Sequence, residues 1–265
     1  MTISAMQSQR HAVITGASKG IGVAIAKNLA QAGFHLTLLG RNEGRLEKIA
    51  TALKPFTQTQ AFTVDITDQL AIQAVIHKAI ALLGPVHILV NNAGQAISQP
   101  FEKTTLALWQ QMLDVNLTGT FNCTQAVLPS MLEATKQGIS GRIINISSTA
   151  GLQGYAYVTA YSAAKHGVIG LTRALALELA RKGITVNAIC PGYTETDLLV
   201  EAIEKIVQKT GKTAEQARQT LASKNPQQRL VQPEEVARAV LWLCSSGSDA
   251  INGQAIAIDG GELAG

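Results

Sequence analysis

The residues best equipped for chemistry lie in one stretch, from Ser148 to Lys165. Tyr161 and Lys165 stand four apart in YSAAK, and on a helix that spacing puts both side chains on one face. An ammonium beside a phenol favours the phenolate, because opposite charge stabilises the ionised form. An ordinary tyrosine titrates near pH ~10, too high for a base in a cell. One drawn towards neutrality can move a proton on and off an alcohol. Ser148, upstream in the same stretch, offers a hydroxyl to hold the oxygen being protonated. The same spacing also suits a tyrosine packed beside a solvated lysine, so the surrounding elements must decide.

Those elements alternate between strand and helix. HAVIT (His11 to Thr15) is a short apolar run that reads as a buried strand. It enters GASKGIG and then VAIAKNLAQAG, whose period is helical and which stops at Gly33. Strand, glycine turn and helix point a helix N-terminus at a phosphate. Gly16 suits the tight turn, Gly20 the approach of backbone to a pyrophosphate, and Gly22 the helix–strand contact. Ser18, Lys19 and Ile21 in the same turn are assigned to the same dinucleotide. The spacing is GxxxGxG rather than GxGxxG.

A second strand, Phe34 to Leu39, leads to Gly40 and Arg41. An NAD site usually has a carboxylate at this point to hold the ribose 2′-hydroxyl. A guanidinium there can grip a 2′-phosphate in bidentate fashion, and Lys19 can add a second charge. NADP (NADPH) is therefore expected over NAD, with NAD a possible cofactor; Arg41 as a solvated loop residue is the alternative. A helix over 43–53 precedes a strand from Ala61 to Val64, then Asp65 and Ile66, both assigned to the cofactor. Asp65 could accept from an adenine amino group or cap the turn. Residues 69–83 read as a helix, and Val86 to Val90 as a strand running into Asn91, Asn92, Ala93 and Gly94. Of these, Asn91, Ala93 and Gly94 suit a cofactor crevice at a strand end.

From Leu106 to Ala134 the pattern is one long helix, with Asn116 in an otherwise apolar stretch. A buried amide must find partners, through a kink with an ordered water or a structural hydrogen bond. The strand Arg142 to Ile146 ends at Ser147 and Ser148, and a loop leads to a helix from about Ala160 to Arg181. Its apolar residues surround nearly the whole circumference, which predicts burial, partly against another subunit. A strand from Thr185 to Ile189 runs into Pro191, Gly192, Thr194 and Thr196. The polar segment 197–225 has the look of a substrate lid. A helix opening at Pro233 and a strand from Gln254 to Asp259 follow.

The fold class expected is α/β: a single Rossmann-type, doubly wound parallel sheet of about seven strands with helices on both faces. One domain is expected over 1–265, with a lid at about 194–225. In such a sheet ligands bind off the carboxyl ends of the strands, and the residues singled out above all lie there or in the helix that follows. Of the 265 residues, 46% are hydrophobic, enough for a packed core, and the 15% that are charged are too few for a disordered chain. The net charge of +4 favours anionic ligands but forms no nucleic-acid stripe. Cys123, Cys190 and Cys244 are scattered, with no metal-binding spacing. With no signal-like start and no apolar run of spanning length, a cytoplasmic protein with no metal, membrane or nucleic-acid partner is expected.

Taken together, TGASKGIG, NNAG, the Asn116 helix, ISS before YSAAK, and PGYTET resemble the short-chain dehydrogenase/reductase family, over about residues 11 to 261. The resemblance implies NAD(P)-dependent hydride transfer between a ketone and a secondary alcohol. It makes Tyr161 the general acid/base and Lys165 the group that lowers its pKa and binds the nicotinamide ribose. It makes Ser148 the holder of the substrate oxygen and Asn116 the holder of a water in a proton relay. Thr194 and Thr196 would contact the nicotinamide carboxamide and the phosphates. A homotetramer or homodimer is implied as well. VNAICPGYTETDL and NPQQRLVQPEEVA look most like reductases of 3-oxoacyl thioesters, on CoA or a carrier protein. The alternatives are a dehydrogenase of cyclic or aromatic secondary alcohols, a non-catalytic cofactor sensor, and a sugar-nucleotide epimerase. Substrate choice is expected to lie in the loop Gln153 to Tyr157 and in segment 197–225.

Overall fold

The computed structural model describes residues 10–264. Seven strands form one parallel sheet: β1 (His11–Thr15), β2 (His35–Gly40), β3 (Thr59–Thr63), β4 (Val86–Asn91), β5 (Gly141–Ile146), β6 (Ile184–Pro191) and β7 (Ala255–Ile258). Their order is β3-β2-β1-β4-β5-β6-β7. Chain order reverses between β1 and β4, and a crevice opens at that switch point. The expected sheet is present, with strand ends displaced by one or two residues.

Alternate residues of each strand feed two cores, as a period of two requires. Ala12 and Ile14 of β1 pack with Ile25 and Leu29 of α1 (Gly20–Gln31), Leu46 of α2 (Glu43–Leu53) and Val240 of α9 (Pro233–Cys244). Val13, between them, faces the other layer. There it joins Ile72 and Ile76 of α3 (Gln69–Leu83), Val127 and Met131 of α5 (Gly119–Lys136), and Leu179 of α6 (Thr159–Leu179). Local chemistry sets several helix starts. Asn42 and Asp68 accept from Arg45 N at 2.9 Å and Ala71 N at 3.0 Å, each satisfying an N–H that the first turn leaves orphaned.

One expectation needs correction. The long helix over 106–134 is three pieces: α4 (Leu106–Leu113), a π turn (Asp114–Thr118) and α5. Asn116 Nδ2 donates to Met112 O, four residues back, at 2.9 Å, and to Gln95 O at 3.0 Å. A side-chain amide on that carbonyl competes with the regular helical bond, and the turn widens. The helix containing Tyr161 leaves one side open in the single chain, the side left for the other subunit the sequence reading expected. Ala164, Val168, Thr172 and Ala176 are buried, but Leu177 is 84% exposed, and His166, Gly170 and Arg173 share the open side. Ala and Leu continue around this helix without marking which face meets its own sheet.

The polar segment forms α7 (Asp197–Thr210) and α8 (Ala214–Ala222). The two close on a small core of their own, with Leu199, Ile203, Ala217 and Leu221 packed beside Tyr193.

Candidate active site

A crevice of about 860 Å³ runs off the carboxyl ends of the strands. One end is lined by Arg41, Asp65 and Ile66, after β2 and β3. The middle holds the Gly16–Gly20 turn with Ser18, Lys19 and Ile21, together with Ala93 and Gly94 after β4. The far end holds Asn116, Ser148, Tyr161, Lys165, Pro191, Gly192, Thr194 and Thr196. Two residues assigned to the cofactor lie elsewhere. Gly22 sits behind the turn, where a Cβ would come within 2.7 Å of Asn92 Nδ2. Asn91 points into the sheet, donating to Thr124 Oγ1 at 3.1 Å and Asn145 Oδ1 at 2.9 Å. Its neighbour Asn92 takes the place expected for it, lining the crevice and donating to Thr15 O at 3.0 Å and Gly16 O at 3.1 Å.

The glycine turn is built by exclusion. Gly16 has φ +64°, and a Cβ there would lie 2.7 Å from Ala93 Cα. Lys19 precedes α1 without capping it by its side chain, and the first turn of α1 carries no acidic residue. Its N–H groups therefore remain available to an anion at the crevice. Gly94 is equally constrained, since a Cβ would sit 2.8 Å from Asn116 Oδ1 and 3.6 Å from Lys165 Nζ. A groove floored by residues that tolerate no Cβ, with a helix start in its wall, fits a dinucleotide pyrophosphate.

Lys19, Arg41 and Arg45, cations suited to a 2′-phosphate, all line the crevice, as do Lys205 and Lys209 of the lid. Arg45 was missed by the sequence reading, although its place in the first turn after Asn42 is a usable signal. The lid helix α7 faces two of them, through Lys19–Glu201 at 3.7 Å and Arg45–Asp197 at 3.3 Å. Exposed pairs of this kind contribute about 0–1 kcal/mol, so a phosphate can replace either partner at small cost. Gly40 stands where a carboxylate would oppose such a phosphate; a Cβ there would approach Ser18 Oγ at 3.4 Å. Asp65 Oδ1 accepts from Thr67 N at 2.9 Å and Thr67 Oγ1 at 2.8 Å. Burial alone would raise this carboxyl, but the Thr67 bonds and the charge of Arg41 hold it below its ordinary value.

At the chemical end, Lys165 is 4% exposed and donates to Ile146 O at 2.8 Å. Burial pushes its ammonium down to about 8, against an opposing pull from Cys190. Burial also pushes the Tyr161 phenol up, while a hydrogen bond with Ser148 draws it down. Lys165, expected to favour the phenolate, stands beside Tyr161. Its ammonium lies 5.7 Å from the centroid of the phenol ring and is turned to the β5 carbonyl. Ser148 Oγ accepts from Ala150 N at 3.1 Å, which fixes it at the strand end. Asn116 is fully buried, and its Oδ1 accepts from Gln95 N at 3.2 Å. With Nδ2 on Gln95 O and Met112 O, the carboxamide is committed to protein partners. What it does visibly is pin the loop after β4.

The arrangement can bind a dinucleotide along its length and move a proton at Tyr161 beside a hydroxyl donor. No group of three or more His, Cys, Asp or Glu suited to a metal occurs among the described residues, and no helix there is long and apolar enough to cross a membrane.

Comparison with known proteins places this geometry among similar ones. A family model described as short chain dehydrogenase matches residues 10–207. An acetoacetyl-CoA reductase of Acinetobacter is 38% identical over 260 residues, covering 97% of this chain and 98% of its own. A cis-4-hydroxycyclohexanecarboxylate dehydrogenase of Sinomonas cyclohexanicum is 37% identical over 259 residues, covering 97% of this chain and 98% of its own. Among solved structures, a variant of actinorhodin polyketide ketoreductase with NADPH superposes with a TM-score of 0.91 at 37% identity, covering 97% of this chain and 98% of that one.

Proposed function

This chain belongs to the short-chain dehydrogenase family, and from that premise we propose that it reduces the ketone of a 3-oxoacyl thioester to a secondary alcohol with NADPH. The observation that carries the reading is the continuity of the crevice. One surface joins a cation-lined pocket at one end to Ser148, Tyr161 and Lys165 at the other. Similarity to a reductase of acetoacetyl-CoA and to a polyketide ketoreductase solved with NADPH supports the substrate and the cofactor.

The roles follow from the chemistry of each group. Arg41, Lys19 and Arg45 hold the 2′-phosphate. The Gly16–Gly20 turn with Ser18 and Ile21 holds the pyrophosphate, Asp65 and Ile66 flank the adenine, and Ala93 and Gly94 floor the groove. Pro191, Gly192, Thr194 and Thr196 close over the nicotinamide end. A bound nicotinamide cofactor supplies the hydride. Ser148 and Tyr161 hydroxyls donate to the substrate oxygen, where negative charge grows in the transition state, and Tyr161 gives up its proton there. A phenol kept above its ordinary value stays protonated at neutral pH, which suits reduction. Lys165, anchored on Ile146 O, holds the ribose and offers its charge beside the phenol ring. Asn116 acts as a positioning residue for the loop that carries Gly94 and Gln95.

The chain is proposed as a single domain over 1–265 with its lid at about 194–225, working as a homotetramer or homodimer in the cytoplasm. The open side of α6, with Leu177 84% exposed, supports a second subunit packing there. Buried free Cys123, Cys190 and Cys244 support a reducing compartment.

The test is a panel read by nicotinamide absorbance: purified protein, NADPH or NADH, and acetoacetyl-CoA beside simple and cyclic ketones. Turnover of acetoacetyl-CoA with NADPH is expected. Rapid ketone reduction without thioester turnover would sink the proposal. It would favour a cyclic-alcohol dehydrogenase, the reading that the similarity to the cyclohexanecarboxylate enzyme supports.

A further inference from the structure

The adenosine end of the crevice lies off β2 and β3 and the chemistry off β5. The space beyond, towards β6 and the lid, is where a substrate chain must go. It is walled by Tyr155, Tyr193, Leu199 and Leu221, an apolar set that suits an acyl chain. Tyr155 and Tyr193 meet edge to face, with centroids 6.5 Å apart and planes at 85°, the arrangement that aromatic quadrupoles favour. Tyr193 is held by the lid core it packs against. Tyr155 is held differently. Its hydroxyl donates to Glu262 Oε1 at 2.6 Å and accepts from Gln153 Nε2 at 2.7 Å.

Glu262 comes from the turn after β7, far from Tyr155 in sequence. Asp259 builds that turn, with Oδ1 accepting from Gly261 N at 2.9 Å and Oδ2 from Leu263 N at 3.0 Å. Gly260 and Gly261 adopt φ +66° and +96° within it. The Glu262 carboxylate is pressed against the strand end that carries Gly192; a Cβ on Gly192 would lie 3.1 Å from Glu262 Oε2. Gly260 abuts Asn225 at the end of the lid. The turn is thus wedged between the loop after β5, the loop after β6 and the lid. A phenol donating to a carboxylate makes a short, strong hydrogen bond. The other carboxylate oxygen, Oε2, is buried with no partner. Such an unpartnered oxygen is costly, and neither the hydride chemistry nor cofactor binding requires it.

We propose that Glu262 is a positioning residue that sets substrate chain length. By tying Tyr155 from the turn after β7, it fixes the aromatic wall that ends the acyl pocket. The inference deepens the reading above and rests on it. Releasing Tyr155 lets the ring swing off Tyr193 and lengthens the pocket, which favours longer 3-oxoacyl chains over acetoacetyl. A methylene in an apolar pocket is worth 10-fold or more in discrimination.

The test compares kcat/KM for 3-oxooctanoyl-CoA and acetoacetyl-CoA in the full chain and in E262A, E262Q and Y155F. In E262A the ratio of the longer to the shorter substrate is expected to rise about tenfold, through a lower KM for the longer one, with kcat on acetoacetyl-CoA retained. E262Q, whose amide oxygen still accepts from Tyr155, is expected to keep the wild-type ratio, and Y155F to raise it. An unchanged ratio in E262A, or an equal loss on both substrates, overturns the proposal. If E262A does not fold, an unchanged ratio in Y155F overturns it instead. If the wild-type protein reduces neither thioester, the acyl-thioester reading fails separately. The ratio is then read on 2-octanone and acetone by the same criterion.

Discussion

The two ends of the sheet bury ionisable groups to a similar degree and to opposite purpose. At the carboxyl ends Lys165 and Tyr161 face a crevice. At the amino ends Arg10, His11, His87 and Arg142 are enclosed by the protein itself. Arg10 donates to Cys244 O at 3.1 Å and Ser140 O at 2.9 Å. His11 places one ring nitrogen 2.9 Å from Gly84 O and the other 2.8 Å from Thr37 Oγ1, and its backbone N–H donates to His87 Nδ1 at 3.0 Å. Arg142 reaches Gly141 O at 3.0 Å and Asp249 Oδ1 at 2.5 Å. Burial takes both histidines down to about 4, a displacement as large as that of Lys165. Perturbed titration therefore does not mark the working end by itself. Proximity to open volume does: one end leaves room for a ligand, and the other returns its polar atoms to carbonyls and neighbouring side chains.

The sharpest break of that contrast is Tyr161→Phe. Loss of the proton donor is expected to lower kcat by about 10²–10⁴ with the unfolding temperature retained; undiminished NADPH consumption would remove Tyr161 from the chemistry. The amino end should answer to acid instead. His11 and His87 are neutral when folded, and the depressed values mean the unfolded chain takes up protons first. Stability is full above pH 6.5 and is lost as pH falls towards about 4, by about 3 kcal/mol for each histidine. Urea unfolding followed between pH 7.5 and 4 measures this, and a flat profile would contradict it. Asp249→Asn comes next. It removes the carboxylate from the buried Arg142 guanidinium and is expected to cost about 2 kcal/mol of stability, less than for a fully buried pair because Asp249 is exposed. kcat should be unchanged, and a kinetic defect would show that the two ends communicate. Smallest is Arg41→Ala, expected to raise KM for NADPH about tenfold, roughly 1.4 kcal/mol, and to leave KM for NADH alone. An equal rise for both cofactors would remove the phosphate role from Arg41.

What the sequence made legible divides along the same physical lines. Strands such as HAVIT and VHILV were readable because a strand buried on both faces is a continuous apolar run. The glycine turn and YSAAK were readable because spacing carries their geometry. Asn91 and Asn92 are the same residue type side by side, and nothing in NNAG states which of them faces the crevice; strand alternation around Asn145 decides it. The π turn was hidden because Asn116 makes its bonds to Gln95 and Met112, a contact set no periodicity records. The Tyr155–Glu262 tie spans the chain from the loop after β5 to the turn after β7, and only the fold brings the two together.

The π turn has one more consequence, best put as a matter of phase. Each residue of a helix advances it by about 100°, and the wide turn at Asp114–Thr118 shifts the angular setting of everything beyond it. Cys123, Val127 and Met131 meet the sheet only in that shifted setting. Removing a single residue from the turn would restore an ordinary helix and yet rotate this whole row off the core. The segment thus acts as a counter: it tolerates exchange of side chains at its exposed positions far better than any change in their number.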